Sequence, residues 1–135
     1  MLGILRTSDY IQRHVAKILE PGGISPQQYN VLRIMRGAGE QGIPTLEIGE
    51  RMIEKSPGIT RLIDRLEAHG WAERNRCKED RRVVYCRITK AGLELLAAME
   101  EPMSRADSVV SHLSREEQTT LINLLDRIRE FDKGQ

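Results

Sequence analysis

The sequence is poor in the residues that mark several large functional classes. It has two cysteines among 135 residues. Two thiols do not build a disulfide framework, so a reducing, cytoplasmic setting is expected. No apolar run approaches the length of a bilayer-spanning helix, and no secretory signal is visible, so no membrane partner is expected. His14, His69 and His112 are dispersed, without Cys or carboxylate at metal-ligand spacing, and no metal or other cofactor is expected. His69 falls at a helix C-terminus, where the dipole alone favours an imidazolium. No Ser-His-Asp set, paired carboxylates or Gly-rich phosphate loop defines a reaction site, so the chain does not read as an enzyme. Aromatic residues are scarce, at 4%. Trp71 follows a helix-capping Gly at a strand start, which suits core better than a base-stacking platform.

Net charge is also small, +1 over the whole chain. Its distribution is uneven. Residues 51–90 hold eleven Lys/Arg against six Asp/Glu, a local +5, whereas residues 91–135 hold five against nine, a local −4. A basic stretch of this kind is the electrostatic footprint of a nucleic-acid face, although a solvated surface with chance clustering has the same composition.

The basic stretch has a definite pattern. Ser56 is a good N-cap and Pro57 suits a first helical turn. Ile59, Leu62, Ile63 and Leu66 then fall on one helical stripe, and Gly70 ends the helix as a left-handed cap. The opposite face carries Pro57, Thr60, Arg61, Asp64, Arg65 and Ala68. A helix entering a major groove needs such a firm apolar seat behind and hydrogen-bonding side chains in front. Upstream, Thr45 is expected to cap a preceding helix with Leu46, Ile48 and Met52 inward, and Gly49 to permit close helix approach. Downstream, Val83–Ile88 alternates with a period of two and Trp71–Arg76 is its expected partner strand, which predicts a two-stranded ribbon. Its tip, Cys77-Lys78-Glu79-Asp80-Arg81-Arg82, is polar and cationic. Two helices followed by a basic hairpin form the layout of a winged helix-turn-helix.

The run S-P-G-I-T-R-L-I-D-R-L-E-A-H-G-W-A-E-R, then Asp80-Arg81-Arg82 as a D-x-R wing, then I-T-K-A-G, resembles the MarR family of bacterial transcription regulators. The resemblance covers nearly the whole chain. It implies that Asp80 orients Arg82 and that Arg82 enters the minor groove. It further implies an intertwined homodimer built from terminal helices, and release of DNA when a small, often aromatic or phenolic, molecule binds beside the dimer helices. His14, Tyr29 and Arg33 are the candidate pocket residues, although so few aromatics argue against an aromatic cage. Peroxide-sensing members carry a reactive cysteine in the first helix, and this chain has none there. Cys86 falls inward on its strand, as a small buried hydrophobe, while Cys77 beside Arg76 and Lys78 is the better thiolate candidate.

The flanks predict further helices. Leu2–Leu19 shows helical spacing and stops at Pro21-Gly22-Gly23. Ser25-Pro26-Gln27-Gln28 is a capping box, with Val31, Leu32 and Met35 inward, followed by a loop over residues 37–42. Thr89 caps a helix bearing Leu93, Leu96 and Met99, which Pro102 should kink or break. Ser114–Glu117 is a second capping box, leading into a stripe of Leu121, Leu124, Leu125 and Ile128 that reaches Phe131. The terminal helices lack an obvious intrachain cover for these stripes, which a second subunit would supply.

These readings predict a mainly α, winged helix-turn-helix domain over residues 1–135, with about six helices and a two-stranded wing. Residues 25–90 form the lobe, and residues 1–20 and 91–133 the dimerisation helices. The expected function is a DNA-binding transcription regulator: a ligand-responsive repressor acting as a homodimer on a palindromic operator. Ser56, Pro57, Thr60, Arg61 and Arg65 would face the major groove, and Lys78, Arg81 and Arg82 would serve the wing. Two alternatives belong to other classes. One is a winged-helix protein-interaction module without DNA binding, against which Arg82 and the local +5 both count. The other is the dimerisation part of an enzyme such as a methyltransferase, for which residues 1–135 leave no room.

Overall fold

The computed structural model describes residues 1–53 and 58–131. The chain divides into two compact units, Met1–Met103 and Ser104–Gln135.

In the first unit, α1 (Leu2–Leu19) runs into a short 3-10 turn over Glu20–Gly22, and Gly23 reverses the chain at φ +67°. A capping box then opens α2 (Pro26–Ala38). The Ser25 hydroxyl accepts from the Gln28 N–H at 3.2 Å, and the Gln28 side-chain oxygen accepts from the Ser25 N–H at 3.0 Å. Val31, Leu32 and Met35 on α2 are fully buried, each contributing ~1.5–3 kcal/mol by leaving water. The helix runs on through Gly37 and Ala38, two residues further than the loop expected there.

A two-residue strand, β1 (Ile43–Pro44), precedes α3 (Thr45–Arg51). It pairs antiparallel with β3 (Val84–Ile88), which pairs on its other side with β2 (Ala72–Arg76). The predicted two-stranded ribbon is therefore the outer part of a three-stranded sheet ordered β1-β3-β2. Two residues are too short to show a period, and Pro44, lacking an N–H, is tolerated on an edge strand. Cys86 lies mid-sheet, opposite Ile43 on one side and Arg74 on the other, and is fully buried as its alternation predicts.

Three expectations for α3 need correction. Thr45 is its first residue rather than its cap, and Pro44 holds the cap position. The Thr45 hydroxyl instead donates to the Val84 carbonyl at 3.3 Å and lies 3.3 Å from Cys86 Sγ, so it fastens the helix start to β3. Leu46 points outward, 82% exposed, while Ile48 and Met52 are buried as expected. A seven-residue helix has room for one inward stripe, and Leu46 falls outside it. Among the described residues, a Cβ on Gly49 would find no atom within 4 Å, so no close approach of a described helix explains that glycine.

The next helix, α4 (Ile59–Ala68), buries Leu62, Ile63 and Leu66. The Gly70 N–H donates to the Glu67 carbonyl and the Trp71 N–H to the Leu66 carbonyl, with Gly70 at φ +77°. This is the Schellman arrangement that a C-terminal glycine favours. Trp71 is half-buried against the core and stacks on His69 at 4.3 Å.

Thr89 caps α5 (Lys90–Met103): its hydroxyl accepts from the Gly92 N–H at 3.1 Å and donates to the Gly70 carbonyl at 2.6 Å. Leu96 and Met99 are buried, but Leu93 lies outside the stripe and is exposed. Pro102 stands in the last turn, and the helix stops one residue later.

In the second unit a 3-10 turn over Ala106–Val110 leads to α6 (Arg115–Glu130). Ser114 and Glu117 form the predicted capping box, at 2.9 and 3.1 Å. The Gln118 amide donates to the Val110 and Leu113 carbonyls and ties the preceding loop to the first turn. Leu121, Ile122, Leu124, Ile128 and Phe131 remain exposed. In the first unit, Leu2, Ile4, Leu5 and Tyr10 on α1 are exposed as well.

Candidate nucleic-acid interface

With Leu62, Ile63 and Leu66 seated in the core, helical geometry turns Thr60, Arg61, Asp64 and Arg65 outward, and all four are exposed. Ser56 and Pro57, the other two candidates for this face, lie outside the described residues. Gly58 holds the N-cap of the described helix, and its carbonyl accepts from the Leu62 N–H at 3.0 Å.

The wing closes through the Cys77 N–H, which donates to the Val83 carbonyl at 2.9 Å, and the Val83 N–H, which donates to Asp80 at 3.0 Å. Within this turn Asp80 and Arg82 are brought together. One Asp80 carboxylate oxygen accepts from both the Arg82 backbone N–H and its Nε at 3.1 Å, and the other accepts from an Arg82 terminal nitrogen at 3.4 Å. These bonds from Arg82 hold the Asp80 carboxyl below its usual range. The Arg82 side chain is nevertheless 91% exposed. A pair this open to water adds little stability. Lys78 and Arg81 are exposed on the same tip, and Arg76 donates to the Arg81 carbonyl at 3.0 Å.

Sequence reasoning missed Arg74. This β2 residue bridges to Asp64 at 2.5 Å and to Glu67 at 3.2 Å on α4. The Arg74 guanidinium also holds the Glu67 carboxyl below its usual range. The available signal was two carboxylates one turn apart, followed by an arginine on the next strand. Matching them requires knowing how strand and helix face each other.

The candidate effector residues separate. A cavity of about 230 Å³ is lined by Tyr29 and Arg33 of α2, by Ile11, Gln12 and Val15 of α1, and by Met52, Ile53 and Met103, among others. Arg33 stands 5.9 Å over the Tyr29 ring, a cation–π distance. His14 does not line this cavity. Its Nε2 is buried with no hydrogen-bond partner among the described residues. Of the two thiols, Cys86 is pushed above its usual range by burial, and Cys77 is half-exposed beside the wing. Among the described residues, no helix is long and apolar enough to cross a membrane.

Comparison with known proteins agrees with this architecture. The MarR family model matches residues 24–84. The HTH-type transcriptional regulator MhqR of Bacillus subtilis is 30% identical over 119 residues, covering 87% of this chain and 81% of the relative. Among solved structures, a MarR transcription factor from Planctomyces limnophilus is 40% identical, with a TM-score of 0.73 over 93% of this chain and 91% of that one. A mutant MarR from E. coli complexed with operator DNA is 25% identical, with a TM-score of 0.84 over 93% of this chain and 89% of that one. Helix, ribbon, wing pair and these relatives together establish that the chain belongs to the MarR family of transcription regulators.

Proposed function

We propose that this protein is a cytoplasmic, sequence-specific DNA-binding repressor that acts as a homodimer on a palindromic operator and responds to a small molecule. The observation that carries the reading is the wing tip: Asp80 fixes the Arg82 guanidinium while leaving it almost wholly exposed, on the same unit as the outward Thr60, Arg61 and Arg65. The α4 side chains suit base edges in a major groove, where a bidentate arginine reads guanine. Arg82, with Lys78 and Arg81, suits the phosphates and a narrow minor groove, whose negative potential favours guanidinium.

Two further features support the finer parts of the proposal. Exposed Leu2, Ile4, Leu5 and Tyr10 on α1, and Leu121, Leu124, Ile128 and Phe131 on α6, are apolar faces that a second copy would cover. A two-fold dimer then places two recognition helices on a two-fold operator. The Tyr29–Arg33 cavity offers mainly apolar walls with the Arg33 cation among its described lining residues, which suits a small molecule with an apolar body and an acidic or hydrogen-bonding group. Such a ligand releases DNA if it binds the DNA-incompetent arrangement more tightly. Footprinting on the intergenic DNA beside the protein's own gene tests the proposal. A protected two-fold site supports it, and no protection at any salt concentration contradicts it.

A further inference from the structure

Arg74 does more than join strand to helix. Its backbone N–H and its Nε both donate to one Glu67 oxygen, at 3.2 and 3.4 Å, and a terminal nitrogen donates to the other at 3.2 Å. That terminal nitrogen also lies 2.5 Å from Asp64 Oδ1. One guanidinium thus holds two carboxylates that stand a turn apart on α4. The Arg74 side chain is only 29% exposed, so this bridge is less screened than the one at the wing tip.

Asp64 and Glu67 alternate along α4 with Arg61 and Arg65. Side chains three or four residues apart are neighbours on a helix, so Asp64 has Arg61 within reach on its own helix. Among the described residues, however, the ion pairs of Asp64 and Glu67 go to Arg74, and Arg61 and Arg65 make none. An arginine tied to a carboxylate of its own helix must break that pair before taking a guanine edge. A carboxylate left unneutralised in the groove also repels the phosphates.

We propose that Arg74 is a positioning residue for DNA recognition: by taking up Asp64 and Glu67 it leaves Arg61 and Arg65 free for the bases. This rests on the DNA-binding reading above. A mere brace between ribbon and helix makes a different demand. A purely structural brace is not restored by neutralising the carboxylates, and neither is a direct phosphate contact. Release of Arg61 and Arg65 is.

The test is a fluorescence titration of the full chain on duplex from the intergenic DNA beside its own gene, with a scrambled duplex for comparison. Arg74→Gln should weaken cognate binding about tenfold, the scale of one lost bidentate base contact. Adding Asp64→Asn and Glu67→Gln to Arg74→Gln should recover most of that loss. If Arg74→Gln alone does not fold, the neutral background decides. There, with Asp64→Asn and Glu67→Gln already present, Arg74→Gln should change cognate affinity less than about twofold. A tenfold loss in that background, or no recovery in the triple variant, overturns the proposal, as does wild-type affinity in Arg74→Gln. Wild type that binds no duplex defeats the DNA-binding reading itself and this inference with it. Wild type that binds without recovery defeats the inference alone.

Discussion

The start of α5 offers a sharp test of the packing, because two helical glycines should respond to the same substitution with opposite signs. A Cβ on Gly92 would lie 2.3 Å from the Trp71 carbonyl oxygen and 2.7 Å from Ile88 Cγ1. That oxygen is already used, accepting from the Thr89 N–H at 3.0 Å, and Thr89 in turn caps Gly92. Gly92→Ala must therefore push the first turn of α5 away from the sheet. Overpacking costs ~1–3 kcal/mol and a weakened Thr89–Trp71 bond adds ~1 kcal/mol, against ~1 kcal/mol gained from alanine's helix propensity. A net loss of ~1–3 kcal/mol follows. At roughly 3–5 °C per kcal/mol for a chain of this size, Tm should fall by ~3–15 °C. Gly49, also helical but with no atom of the described residues within 4 Å of its Cβ position, is the control. Gly49→Ala should stabilise by ~0.5–1 kcal/mol. Thermal and urea unfolding followed by circular dichroism, at one fixed protein concentration, measures both. A Gly92→Ala protein as stable as wild type would mean that α5 does not start against Trp71.

Other predictions concern the thiols and the assembly. Cys77 should react with an alkylating reagent much faster than Cys86, whose thiol is buried and pushed upward; equal rates would refute the placement of Cys86. Cys86→Ser should cost ~1–3 kcal/mol by putting a hydroxyl in that site, whereas Cys77→Ser should leave stability within ~0.5 kcal/mol. Sedimentation at micromolar concentration should show a dimer, and Leu124→Glu on the exposed α6 face should shift it toward monomer. A wild-type chain that sediments as a folded monomer contradicts the dimer and removes the reason for a palindromic site.

What was legible in the sequence was mostly local. The boxes at Ser25–Gln28 and Ser114–Glu117, the Gly70 stop and the Thr89 cap each depend on residues a turn apart, and each forms as read. The inward position of Cys86 followed from strand alternation alone. Long-range partners were less visible. β1 is too short for a period, and it took the Thr45 hydroxyl from the helix cap to Val84, 39 positions away. Leu46 was assigned inward by composition, but α3 buries only the side bearing Ile48 and Met52. Asp80 and Arg82, two residues apart, could be paired by motif. Arg74 with Asp64 and Glu67 could not, because their meeting depends on how β2 crosses α4. His14 was grouped with Tyr29 and Arg33 as a pocket residue, but the cavity those two line does not include it.

The most direct test of the central claim is a titration of wild type, Arg82→Ala and Arg61→Ala against operator and scrambled duplexes at several salt concentrations. Arg82→Ala should weaken both duplexes alike and flatten the log–log salt dependence by about one unit per lost phosphate-type contact. Arg61→Ala should cost ~1–3 kcal/mol mainly on the operator and relax the base preference at one position per half-site. Asp80→Ala should behave as a weaker Arg82→Ala, since it removes the carboxylate that holds that guanidinium. Unchanged affinity of folded Arg82→Ala for both duplexes would mean that the wing does not touch DNA.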